Sequence, residues 1–431
     1  MKKHSTITKK IIRGTFLWTP EPDVMKQQKQ GYALVENGII KSLTKELPSG
    51  CEDIPVTDYG DALIIPAFTD IHLHASQYPN CGVGLDKELL PWLNTYTFPV
   101  EARYFDAAFA EYYYKKLLNR LWSVGTLHFC GFATVHMEST WQLMQLTQKA
   151  GFRAYIGKVN MDRDCPDSLR ENTEVSLQET EELIHRATSL RNVKYILTPR
   201  FVPCTTPRLM EGLVTLAEQY DLPVQSHLCE NTDEIALVGK LHPDIPSYTQ
   251  VYDTFGLLRP EKTILAHAVH LTEEEVEILA KKNILLAHCA QSNTNLSSGI
   301  MPLRQRLQNG IRCGIASDIA AGHTPAMYQQ IVATIQTSKI HGFLHPEDAP
   351  LSLTEAFYLA TKENGSFFGN TGSFESGYSF DALVIPDAEP DSPLRRTPYE
   401  RLEQFIYDGD DRHILTRYMQ GEKMEQPFSH F

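Results

Sequence analysis

The apolar positions change rhythm along the chain. Up to about residue 66 they form short runs: Thr15-Phe16-Leu17-Trp18, Gly31-Tyr32-Ala33-Leu34-Val35 and Gly38-Ile39-Ile40. Aromatic and β-branched residues in such runs predict strands, and Glu36-Asn37-Gly38 carries the Asn-Gly signal of a hairpin turn. From residue 67, strand-like runs alternate with helical patterns. The strand runs are 67–74, 124–130, 152–159, 193–200, 222–228, 263–269, 284–289 and 312–317. Helical patterns occupy 101–122, 138–149, 174–190, 207–220, 272–282 and 326–339. This alternation predicts βαβ units and a parallel sheet. Eight repeats over about 250 residues predict an α/β fold of the (β/α)8 TIM-barrel class. An open doubly wound sheet is the alternative, but no Gly-x-Gly-x-x-Gly follows an early strand.

After a further helix at about 353–367, the pattern returns to β. Ser379 to Ile385, Arg401 to Tyr407 and His413 to Met419 read as strands, with a turn at Asp408-Gly409-Asp410-Asp411. Neither end of the chain is long enough to bury a core alone. The two are predicted to pair into a small β-sandwich domain, residues 1–66 plus 375–431, beside a barrel of residues 67–374.

Composition narrows the function classes. Apolar residues make up 42% and charged residues 22%, as in ordinary globular proteins. A net charge of −13 argues against nucleic-acid partners, which need a basic footprint. No apolar run of 18 residues exists, so no membrane span is expected. Met1-Lys2-Lys3-His4-Ser5 is basic without a following apolar stretch, so no secretory signal is expected. Eight scattered cysteines, none in a Cys-x-x-Cys pair, suggest a reducing, cytoplasmic compartment rather than a disulfide framework.

The chemistry gathers at predicted strand ends. His72 and His74 are two apart on the first strand, so both side chains leave the same face. The fifth strand ends His227-Leu228-Cys229-Glu230, the sixth at His267 and the eighth at Asp318. In a barrel all C-terminal strand ends share one face. His72, His74, His227, His267 and Asp318 are therefore expected to meet. Imidazole nitrogens with a carboxylate suit zinc, iron, copper or nickel, and an open position makes such a site catalytic rather than structural. Asp318 could take a proton from water, with His267 holding the water in place. Glu230, three residues past His227, is expected to shuttle protons; the alternative is a carboxylate stabilised at the start of helix 231–240.

Arg200-Phe201 end the fourth strand and could grip a planar ring bearing a carbonyl, with Gln77 reaching a ring nitrogen or amine. Alternatively Arg200 is an ion-pair partner and Gln77 a loop cap. The aromatic insert 75–100 is expected over the mouth, as a lid or as a structural cap. His288 is expected behind the ligands, and His128, His136, His270 and His323 in structural roles. His136-Met137-Glu138 matches half of an unrelated zinc deaminase signature, but Pro203-Cys204-Thr205-Thr206-Pro207 lacks the Pro-Cys-x-x-Cys half.

The His-x-His strand with His, His and Asp on strands five, six and eight resembles the single-metal deaminases of the amidohydrolase superfamily. Longer stretches resemble its guanine deaminase family: His72 to Tyr78, Leu89 to Glu101, Gly157 to Asp162, Thr198 to Phe201, Gln225 to Asn231 and Ala287 to Asn293. The resemblance runs from about residue 10 to the end. It implies hydrolysis of guanine to xanthine and ammonia. It implies one zinc per subunit on His72, His74, His227 and Asp318, with iron also fitting. Glu230, Asp318 and His267 are the implied catalytic groups. Gln77, Arg200 and Phe201 would bind guanine, with His74, His227, Glu230 and Asp318 beside it. A homodimer is the implied assembly. The chain departs from the family in reading Ala316-Ser317-Asp318-Ile319-Ala320-Ala321-Gly322 where Gly-Thr-Asp-Val-Ala-Gly-Gly is usual, and Leu228-Cys229 for Ile-Ser. Other readings are an aminohydrolase or chlorohydrolase acting on another purine, a pterin or a triazine, or a scaffold that kept the fold without activity.

Overall fold

The structure, a computed structural model, describes residues 8–429. The expectation for Met1 to Ser5, and the outermost limits of the terminal domain, lie outside these residues. Four strands open the chain: β1 (Lys9–Glu21), β2 (Val24–Glu36), β3 (Ile39–Thr44) and β4 (Val56–Pro66). The Asn-Gly turn is where the sequence puts it. Asn37 and Gly38 alone join β2 to β3, with φ of 50° and 82°. Two left-handed residues match the twist of antiparallel strands, which is why Asn-Gly is favoured there.

Ten strands follow: β5 (Phe68–His74), β6 (Thr126–Phe132), β7 (Arg153–Gly157), β8 (Val159–Asn160), β9 (Val193–Tyr195), β10 (Thr198–Pro199), β11 (Val224–Leu228), β12 (Thr263–His267), β13 (Leu285–His288) and β14 (Arg312–Ile315). Every pairing among them is parallel. They form runs β5-β6-β7-β9 and β11-β12-β13-β14, with β8 beside β10. A parallel bridge, Leu197 to Val224, joins the first run to β11. At the other edge, Asp318 N donates to His72 O at 2.9 Å and His74 N to Ile319 O at 2.8 Å. Helices connect the strands, among them Ala107–Ser123, Met137–Ala150, Thr173–Ala187, Pro207–Gln219, Glu273–Lys281 and Met327–Leu344. β5, β6, β11, β12 and β13 are buried along their whole length, as expected of strands covered on both faces.

The chain ends meet in one seven-stranded sheet. β15 (Ala382–Ile385), β16 (Thr416–Met419) and β17 (Glu422–Lys423) extend it in the order β17-β16-β15-β4-β1-β2-β3. Ile12, Phe16, Val35, Ile64, Phe380 and Val384 pack within its own apolar cluster. The strand expected at Arg401 to Tyr407 is instead a helix, Pro398–Asp408. Thr397 caps it, accepting from Glu400 N while Glu400 reaches back, and Pro398 opens its first turn. Leu402, Phe405 and Ile406 then fall on one helical face and are buried. The helix expected at 101–122 also starts later. Ala102–Phe105 is a 3-10 turn, and Asp106 caps the helix from Ala107 by accepting from Ala108 N and Phe109 N.

His128 and Asp381 connect the terminal sheet to the parallel strands. His128 on β6 lies 3.1 Å from Asp381, which precedes β15, and both are buried. All eight cysteines are free. Among the described residues, no helix is long and apolar enough to cross a membrane.

Candidate active site

The C-terminal ends of β5, β11 and β12, with the segment after β14, deliver His72, His74, His227, His267 and Asp318 to one place. The period of two in β5 aims His72 and His74 the same way. Their Nε2 atoms stand 3.1 and 3.5 Å from Asp318 Oδ1, and His74 Nε2 is 3.0 Å from His227 Nε2. One donor atom from each of His72, His74, His227 and Asp318 lies within 4.8 Å of the others. Ligands about 2.1 Å from a shared ion stand roughly 3.0–3.4 Å from each other, so the spacing suits one cation. The tautomers suit it as well. His227 Nδ1 donates to the Arg200 carbonyl at 2.6 Å, leaving its Nε2 lone pair aimed at the cluster.

Electrostatics point the same way. Burial, reinforced by the neighbouring imidazoles, pulls His74 and His227 well below their usual value and so keeps them neutral. Burial also lowers His72, against the pull of Asp318. Burial alone would raise Asp318, but the hydrogen bond and charge of His72, with His267 and His74, hold it below the usual carboxylate range. Neutral imidazoles and an ionised carboxylate are the protonation states a divalent cation binds.

Strained backbone accompanies these residues. Cys229, His267, Ala268 and Asp318 have φ of 46°, 74°, 49° and 47°. For residues with a Cβ this left-handed region costs roughly 1 kcal/mol or more each, and it is found mostly where the surroundings over-determine a functional geometry. Asp70, beneath the cluster, accepts from Ser317 N at 3.0 Å and from Ser317 Oγ, so β5 anchors the turn that presents Asp318.

Glu230 does not act as a helix-start carboxylate. Asn231 and Glu234 form the capping box of Thr232–Leu241, and the Glu230 side chain points elsewhere. Its Oε2 is 3.3 Å from His267 Nε2, and its Oε1 accepts from Ser298 Oγ at 3.0 Å. His270 in turn donates to the Ser298 carbonyl at 2.7 Å. Burial pushes Glu230 up to about 7. Burial works to lower His267, but Glu230, Asp318 and the bond to Asn293 outweigh it and raise it. Each group thus favours a proton held between them.

Glu230, His267 and Asp318 border a cleft together with Gln77, Arg200, Phe201 and Trp92. The insert after β5 covers it as a near-continuous helical stretch, Leu89–Trp92, Leu93–Thr97 and Phe98–Glu101, the middle part wound as a π-helix. Leu89, Trp92 and Leu93 face the cleft. Arg200 borders the cleft and pairs with Glu101 at 2.6 Å, so it is an ion-pair partner at the mouth. Glu101 also accepts from Gln77 Nε2 at 3.0 Å. Sequence reasoning gave Glu101 no role.

The other histidines singled out in the sequence lie outside the four-donor cluster. His288 is buried at the end of β13 and pushed down to about 4, first by burial and then by His267. His128 pairs with Asp381, His270 holds Ser298, and His323 contacts Asn295 at 3.1 Å. His136 precedes a helix whose Glu138 pairs with Arg186, so the His-x-Glu pair builds no cluster with Cys204.

Comparison with known proteins gives the chain's family. The profile of the Amidohydrolase family matches residues 63–424. A guanine deaminase of Dictyostelium discoideum is 40% identical over 96% of this chain and 94% of its own length. A guanine deaminase of Escherichia coli K12 is 34% identical over 96% of this chain and 97% of its own. A crystal structure of guanine deaminase from C. acetobutylicum, with guanine bound in its active site, superposes with a TM-score of 0.95 at 46% identity, covering 97% of this chain and 100% of that one. The chain belongs to the amidohydrolase family, among its guanine deaminases.

Proposed function

We propose that this protein hydrolyses guanine to xanthine and ammonia in a closed (β/α)8 barrel of residues 67–374, with a composite β domain from residues 1–66 and 375–431. The observation that carries the reading is the juxtaposition of a three-histidine, one-aspartate cluster with the Glu230–His267 pair and a wall bearing Arg200 and Gln77. His72, His74, His227 and Asp318 would hold one zinc or iron ion. Such a cation supplies Lewis-acid chemistry that lets a water ionise near neutral pH.

The chain's own groups do the rest. Asp318 would take the proton of the attacking water, and His267 would orient that water. Glu230 delivers a proton to N3 of the ring, which makes C2 electrophilic. With a value near 7 it can both give a proton and regain one. The proton taken up by Asp318 then passes to the amine at C2, which leaves as ammonia, while N3 keeps its new proton and Glu230 regains one from the C2 hydroxyl as the carbonyl forms. Arg200 would grip the ring carbonyl and Phe201 wall the ring, while Trp92 and Leu93 exclude water. Free thiols throughout suit a reducing, cytoplasmic compartment, and the resemblance favours a homodimer.

A guanine-to-xanthine absorbance assay on purified protein, with elemental analysis, tests the reading. Turnover with close to one metal per chain is expected. Turnover only of other purines, pterins or triazines would replace guanine as substrate, and metal without any turnover would favour the inactive scaffold.

A further inference from the structure

Glu101 takes no part in the chemistry above, yet it is only 3% exposed. It closes the covering segment Phe98–Glu101, and the Phe98 ring lies 5.0 Å from the Arg200 guanidinium. Its two oxygens are divided. Oε1 accepts from Gln77 Nε2 at 3.0 Å and Oε2 from Arg200 Nη1 at 2.6 Å.

An ionised carboxylate can only accept. Glu101 therefore draws the NH2 end of Gln77 toward itself. From the other side the Ala320 N–H, which can only donate, lies 3.4 Å from Gln77 Oε1. An amide has two settings of nearly equal shape, and these contacts select one. Gln77 Nε2 keeps a second hydrogen, Arg200 keeps its remaining N–H groups, and both residues border the cleft. The wall in front of Glu101 thus presents donors from both side chains.

We infer that Glu101 is a positioning residue that fixes the donor polarity of Gln77 and Arg200 and so makes the cleft select a purine with a ring carbonyl on that edge over one with an amine. The inference rests on the guanine reading and adds to it a determinant of 6-oxo over 6-amino rings. A carbonyl accepts from both donors. An amine in its place sets hydrogens against hydrogens and leaves buried donors without partners, which penalises the wrong ring more than it helps the right one.

The test compares kcat/KM for guanine and 2,6-diaminopurine, which share the amine at C2 and differ at C6, in the metal-loaded enzyme. In Glu101→Gln the new amide donates as well as accepts, so Gln77 is free to turn its oxygen into the cleft. The guanine to 2,6-diaminopurine ratio is expected to fall by about tenfold or more, with metal content unchanged. Glu101→Asp still only accepts, and its ratio should stay within about threefold of wild type even if both rates drop. Gln77→Met removes one donor without touching Glu101, and the ratio should fall there too, which keeps the test open if Glu101→Gln does not fold. Equal losses on both substrates, with the ratio unmoved in Glu101→Gln or Gln77→Met, would reduce Glu101 to a latch for the covering segment and overturn the inference. A wild-type enzyme that leaves guanine untouched would overturn the guanine reading, and the inference with it.

Discussion

His267 Nε2 lies 3.3 Å from Glu230 Oε2 and 3.8 Å from Asp318 Oδ2, which puts one imidazole between two buried carboxylates. His267 is fixed from behind by Asn293, whose Oδ1 is 2.9 Å from its Nδ1. With Nδ1 as donor, Nε2 faces the carboxylates, and a proton can be held there or passed on.

Glu230→Gln keeps the shape of the side chain and removes its titration. It should lower kcat by about 10²–10⁴-fold while leaving the metal in place, because Glu230 is outside the four-donor cluster. Steady-state kinetics with metal analysis checks this. Near-normal turnover would show that the ring is protonated from elsewhere.

Stripping the metal with a chelator should abolish turnover and lower the melting temperature, since His72, His74, His227 and Asp318 would be left clustered without their shared charge. Reloading with zinc or iron, followed by the absorbance assay, should restore activity. Full activity in protein shown to be metal-free would sink the metal assignment.

Arg200→Lys keeps the charge and loses the fork. Arg200 uses one nitrogen on Glu101 and stacks on Phe98, and an ammonium cannot reproduce both. A fall in kcat/KM of about 10–100-fold on guanine is expected, by kinetics on the folded variant. A wild-type value would mean that the guanidinium serves only the ion pair.

Asp381 offers a prediction about pH. Burial would raise its carboxyl, but His128, the Gln420 N–H and Arg153 outweigh burial and lower it from 3.8. A carboxylate with a depressed value stabilises the fold fully above its unfolded value and loses that contribution as pH falls through the depressed one. Asp381→Asn should therefore destabilise the protein by about 3–5 kcal/mol at neutral pH, because His128 and Arg153 lose a buried partner. The gap to wild type should shrink below about pH 4. Denaturant melts at both pH values decide it, and a gap that persists at low pH would rule out the ionised Asp381 carboxylate as its source.

The local pattern made the metal half of the site legible. His72 and His74 follow from the period of a strand, and His227, His267 and Asp318 from their places at successive strand ends. Helix Pro398–Asp408 was misread as a strand: Thr397-Pro398 and Glu400 carry its cap, but Leu402 to Tyr407 has enough aromatic and β-branched residues to pass for a strand.

Glu101 was not legible in this way. Its partners lie 24 and 99 residues away, and nothing local distinguishes a solvent-facing glutamate from one that closes a buried bridge. The same holds for His128 and Asp381, which meet across 253 residues. By itself the sequence determined the alternation of strands and helices between residues 67 and 339 and the donor atoms at the strand ends, since both follow from periodicity and side-chain chemistry. Only the tertiary structure decided which buried charges pair, because pairing depends on where distant segments are brought together and on which of them exclude water.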